Sequence, residues 1–131
     1  MMPIAGKPVS TPFAKPGKMW SSGRHEGIDI ACPVGTQIVA PVDAKVEKVG
    51  QVWGAAFGKN SVLLKVEGGY LLFAHCSKAL VKAGDRVSKG QPIALAGKDG
   101  NVTGPHLHME YQVGPGWKKG GGMNPQKFLD A

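Results

Sequence analysis

Twenty glycines and ten prolines are spread through 131 residues, and their spacing constrains the fold more than any other feature. Both residues are poor in helix interiors, so a helical bundle or coiled coil is excluded. From residue 27 onward, turn-forming residues recur about every 8–12 positions, the rhythm of short strands joined by tight turns. The longest uninterrupted apolar run is Tyr70–Ala74, far short of the roughly 20 residues a membrane span needs. The length is that of one domain, and the expectation is a single all-β domain over residues 1–131, built on antiparallel β-sheet.

Strands are expected at Gly27–Ala31, Gln37–Ala40, Ala44–Val49, Ser61–Glu67, Tyr70–His75, Arg86–Val87, Pro92–Ala96 and Leu107–Val113. Residues 1–24, rich in Pro, Gly, Ser and Lys without a sustained period, form an extended lead-in segment. Glu67-Gly68-Gly69-Tyr70 predicts a hairpin, because glycine supplies the positive φ of tight two-residue loops. Gly114–Gly122 predicts a long, mobile turn. Pro125–Leu129 is the best helix candidate, with Asn124 as its cap.

Lysine and arginine exceed aspartate and glutamate by seven charges, with a pI near 9.6. A basic surface favours polyanions. RNA-module signatures are missing and the lysines are scattered rather than clustered with aromatics, so nucleic acid is not the expected partner and an anionic wall polymer remains open. Cys32 and Cys76 are too few for a disulfide scaffold and are expected as buried free thiols.

All four histidines fall in informative places. In a strand, residues two apart share a face, so His106 and His108 point one way while Leu107 points into the core. Four randomly placed histidines would produce such a pair in roughly one chain of this length in ten. By the same rule His25, Gly27 and Asp29 share a face, and the glycine between them leaves a gap past which an imidazole and a carboxylate can reach one point. Ile28 and Ile30 face the other way. Three nitrogen and oxygen ligands plus a water make a catalytic zinc site. The plain alternatives are a surface ion pair for His25 and Asp29 and a hydrogen-bonded core histidine for His75.

His25-Glu26-Gly27-Ile28-Asp29 resembles the H-x-G-x-D motif of the lysostaphin-type zinc endopeptidases, which cut bacterial peptidoglycan. Thr103-Gly104-Pro105-His106-Leu107-His108-Met109-Glu110 resembles their T-G-P-H-L-H-F-E signature, and Phe73-Ala74-His75 their Y-A-H-L element. Pro33-Val34-Gly35-Thr36, Val81-Lys82-Ala83-Gly84-Asp85, Lys89-Gly90-Gln91-Pro92-Ile93 and Asn124-Pro125 extend the likeness over residues 9–130. The resemblance implies an active-site groove bordered by loops. It implies Zn2+ held by His25, Asp29 and His108, with His75 and His106 beside the attacking water as the catalytic pair. Zinc acidifies a water and polarises the scissile carbonyl. One histidine can then move the proton and the other hydrogen-bond the oxyanion. Cys76 stands where the family has leucine and Ala14 where it has glycine. Met19 and Trp20 occupy the stretch where lysostaphin-like members carry a tyrosine, which leaves the oxyanion partner open.

The implied function is hydrolysis of peptide cross-links in bacterial peptidoglycan by a monomeric phage lysin. Residues 1–30 contain no apolar h-region, so the expected location is the host cytoplasm until holin-mediated release, or the virion, with a bacterial enzyme cut from a longer precursor as the alternative. Two other readings compete. One is a zinc-free, degenerate member that binds cell wall. The other is a biotinyl or lipoyl carrier domain displaying Lys45 on a hairpin tip.

Overall fold

The computed structural model describes residues 1–131 and forms nine strands in two antiparallel sheets. The strands are β1 Gly27–Ala31, β2 Gln37–Val39, β3 Ala44–Gly50, β4 Ser61–Val66, β5 Gly69–Ala74, β6 Lys78–Ala79, β7 Arg86–Val87, β8 Pro92–Leu95 and β9 His106–Gln112. The large sheet has the order β1-β9-β5-β4-β3-β7, and the small one β2-β8-β6. The all-β, antiparallel expectation holds, and the expected strand ends move by a residue at most. Two elements were not foreseen: β6 and a single 3-10 turn at Ala55–Phe57. Two or three residues are too few to show a period.

Alternation drives the packing. On β9, Leu107, Met109 and Tyr111 point into a core completed by Ile28 and Ile30 from β1, Val62 and Leu64 from β4, and Leu71 and Phe73 from β5. Ile38, Ile93 and Ala94 of the small sheet belong to the same core, as do Phe128 and Leu129 of the short helix α1, Gln126–Leu129. The N-cap position of that helix falls on Pro125 rather than the expected Asn124, which sits one residue earlier and accepts the Gln126 amide on its Oδ1 at 3.0 Å. The opposite face of the large sheet carries a smaller apolar cluster of Trp53, Leu63, Leu72 and Ala74.

Between β4 and β5 only Gly68 takes a positive φ, +76°. Gly69 is already in the ladder, opposite Val66; a side chain there would collide with the Gln112 backbone carbonyl. The Gly114–Gly122 turn is tied down. Gln112 holds both backbone polar groups of Lys118, and the Arg24 guanidinium donates to the carbonyls of Gly120 and Gly122.

Candidate metal centre

β1 and β9 are neighbours, and their register sets Asp29 opposite His108, which in turn lies opposite Ala74 of β5. His106, His108, Glu110 and Gln112 all face away from the main core. His25 comes just before β1, and its backbone exchanges hydrogen bonds with Lys15 and Ala14 of the lead-in segment. His75 directly follows β5 with φ of +63°, a left-handed conformation that non-glycine residues rarely adopt and that concentrates at functional sites.

Three donor atoms converge. His25 Nε2 lies 3.2 Å and His108 Nδ1 2.9 Å from Asp29 Oδ1, and the two nitrogens are 3.3 Å apart. A tetrahedral ion with ligands at 2.0–2.1 Å has edges of about 3.3 Å, so this triangle fits a metal of zinc's size. The remaining ring nitrogens fix the tautomers. His25 Nδ1 donates to the Pro12 carbonyl at 3.0 Å, leaving Nε2 a bare lone pair facing a carboxylate oxygen. Two acceptors at that distance repel unless a proton or a metal ion is shared between them. His108 Nε2 donates to Glu110 Oε1 at 2.9 Å, which leaves Nδ1 for the metal. Partners of this kind orient ligating histidines and raise their basicity.

Without a metal, the same geometry reshapes the titration of the site. Burial alone would favour the neutral His108 ring, but Asp29 and Glu110 on its two nitrogens hold its pKa up at about 9. Burial likewise opposes ionisation of Asp29, yet the His108 hydrogen bond and the His25 ring beside it keep its carboxyl well below the usual carboxylate range. Deprotonated donors are what a metal needs.

His75 and His106 flank this triangle with ring centroids 4.9 Å apart. His75 Nδ1 donates to the Asp99 carbonyl at 2.8 Å and His106 Nδ1 to the Gly104 carbonyl at 3.0 Å. Each therefore presents a bare Nε2, and that of His106 lies 3.7 Å from Asp29 Oδ1. Burial pushes His75 down to about 4, only partly offset by its bond to Asp99. Both are proton acceptors as they stand, and neither neutral ring offers an Nε2–H to an oxyanion.

The wall beside them is aromatic. Phe57 stacks on His75 at 6.4 Å and lies 5.8 Å from His108 and 6.3 Å from Trp117. The Trp53 indole N–H anchors the Pro115 carbonyl at 2.8 Å. On the other side the Trp20 ring sits 4.9 Å from His25, in the stretch that lacks a tyrosine.

Sequence reasoning had assigned no role to Glu110 and Gln112. Both are buried on the histidine face, and Gln112 Nε2 donates to Glu110 Oε2 at 2.6 Å. The alternation His-x-His-x-Glu-x-Gln on one strand was the available signal. Cys32 and Cys76 are free and buried, and burial pushes the Cys76 thiol up to about 12. Lys45 lies within β3, paired with Lys65 and Arg86. That is not the hairpin tip a carrier lysine requires, so the carrier reading falls.

The profile of peptidase family M23 matches residues 23–125. A peptidoglycan DD-endopeptidase of Vibrio cholerae is 42% identical over 90 residues, 68% of this chain and 20% of that protein. The catalytic domain of lysostaphin from Staphylococcus simulans superposes with a TM-score of 0.81 at 28% identity, covering 95% of this chain and 93% of that one. The catalytic domain of a prophage-encoded M23 protein from Enterococcus faecalis superposes with a TM-score of 0.76 at 29% identity, covering 93% and 91%. The chain spans about a fifth of the length of two of the curated relatives it matches.

Proposed function

The chain belongs to peptidase family M23, and on that footing we propose that it is a zinc-dependent endopeptidase that hydrolyses peptide cross-links of bacterial peptidoglycan. The observation that carries this reading is the convergence of His25 Nε2, Asp29 Oδ1 and His108 Nδ1 at three corners of one small tetrahedron, with two proton-accepting histidines beside it. His25, Asp29 and His108 would hold the zinc, which when bound would supply the Lewis acidity that polarises a carbonyl and acidifies a water.

The remaining steps belong to the chain. The lone pairs on Nε2 of His106 and His75 orient the attacking water and accept its proton. The ring that takes the proton becomes an Nε2–H donor, able first to stabilise the oxyanion and then to protonate the departing amine. This resolves how histidines that start as acceptors can serve both roles. Phe57 and Trp117 shield one side of the site from water, which strengthens each of these interactions.

Metal analysis of the purified protein, together with digestion of a soluble cross-linked muropeptide, tests the reading. One zinc per chain and a new amine end are expected; a metal-free or inert protein rejects it in favour of the wall-binding alternative. The same measurement on walls of several chemotypes identifies the bond. The proposal includes a phage lysin that waits in the host cytoplasm for holin release or is carried on the virion, a reading supported by the likeness to a prophage-encoded protein. Lysis of the host on expression without a holin rejects the holin-dependent form.

A further inference from the structure

The antiparallel register of β4, β3 and β7 places Lys65 opposite Lys45 and Lys45 opposite Arg86. All three side chains are exposed and rim one shallow depression with Ser88 and Asp43. Like charges directly opposite one another destabilise a sheet, yet no carboxylate pairs with any of the three. The only ion pair made by a lysine or arginine side chain is Lys127–Glu67, at 3.8 Å. Of the nearby acids, Asp43 accepts the Lys89 amide and Asp85 the Lys82 amide, while Glu47, at the bulge of β3, forms no ion pair with the row.

The row continues across the sheet. Lys65 faces Tyr70, and Tyr70 faces Gln112, which shares the face of His108 and Glu110. The cations and the metal centre therefore lie on one face of one sheet. At about 4.8 Å per strand and 3.4 Å per residue, Lys45 is about 20 Å from His108. Tyr70, the aromatic of the row, is half-buried against the cluster of Trp53, Leu63, Leu72 and Ala74, so the row offers no platform for stacking bases.

We propose that Lys65, Lys45 and Arg86 form a docking row for an anionic phosphodiester polymer of the bacterial wall, holding the wall against the sheet face that carries the metal centre. The choice of a wall polymer rests on the peptidoglycan-hydrolase reading; the cation row does not. Lysine and arginine are suited to phosphate oxygens, and three cations in a line match a flexible chain bearing phosphates at regular intervals.

The test is the binding of fluorescent poly(glycerol phosphate) to the full chain, followed by anisotropy at low and moderate salt. The variant Lys45→Gln/Lys65→Gln/Arg86→Gln is compared with Lys7→Gln/Lys78→Gln/Lys82→Gln, which lowers net charge equally at exposed positions elsewhere. The row variant should lose on the order of tenfold in affinity and flatten the salt dependence, because fewer counterions are released. The control should stay within about threefold of the parent by the same reasoning.

Equal losses in both variants, or none in the row variant, overturn the proposal. Tighter binding of an equally charged DNA duplex overturns the choice of polymer. Should the triple row variant fail to fold, Lys45→Gln alone must weaken binding more than Lys82→Gln does. Muropeptide cleavage by the parent protein, run in parallel, separates the two readings: polymer capture without cleavage refutes the hydrolase and leaves the row standing.

Discussion

Gly27 lies against the ring of His108. A Cβ at position 27 would come within 2.9 Å of His108 Cε1 and would also collide with the Met109 backbone carbonyl. The gap in the middle of His25-Glu26-Gly27-Ile28-Asp29 is thus filled by the third member of the metal triangle. Gly27→Ala should push the imidazole away from Asp29 and weaken zinc binding by at least about tenfold, the usual scale for disturbing a ligand's orientation. Competition with a chromophoric chelator measures it; unchanged affinity would mean that β1 yields instead.

Glu110 is the orienting partner of His108. Glu110→Gln keeps the shape but removes the negative charge that accepts the Nε2 proton, and zinc affinity should fall about 10–100-fold. Gln112→Leu, which breaks the link from Glu110 to Lys118, should give a smaller loss in the same direction. An isothermal titration showing the reverse order would assign the main support to the loop.

Removal of the four histidines one at a time should separate two classes. His25→Ala and His108→Ala leave too few donors and should lose metal and activity together, as should Asp29→Ala. His75→Ala and His106→Ala should keep near-stoichiometric zinc while losing on the order of 10²–10⁴ in rate. A His106→Ala protein without zinc, or a His108→Ala protein that retains it, reverses the assignment.

The pH dependence follows from the two shifted rings. In the metal-free protein His108 holds its proton up to about 9, above the unfolded value near 6.5. Its contribution to stability is complete below about 6.5 and is lost as pH rises through 9. His75 is lowered to about 4, so its contribution is present above about 6.5 and is lost as pH falls through 4. The melting temperature of the chelated protein should therefore decline on both flanks. Zinc loading near pH 7 should release close to one proton from His108, and affinity should tighten with pH until about 9. Zinc uptake without proton release in two buffers of different ionisation enthalpy would contradict this.

Much of the site is legible in sequence because its signals are local. Period-two alternation already puts His106 and His108 on one face of β9, and His25 and Asp29 on one side of Gly27. Turn residues at short intervals mark nearly every strand. Glu110 and Gln112 obey the same alternation, but a polar residue on a strand reads as solvent-facing until something is known to cover it.

What the sequence determined by itself was the all-β architecture and the faces of its strands, since both follow from neighbours within a few residues. Register across the sheet was decided only by the tertiary structure. It sets Asp29 beside His108, 79 positions away, and it turns Lys45, Lys65 and Arg86, scattered along the chain, into a single row. The left-handed turn at His75 and the choice of which ring nitrogen faces the metal also belong to that level. At His25, His75 and His106 these depend on backbone carbonyls, those of Phe57, Asp99, Gly104 and Pro12, which every sequence carries at every position and which only folding brings within reach; at His108 the Glu110 carboxylate sets the nitrogen.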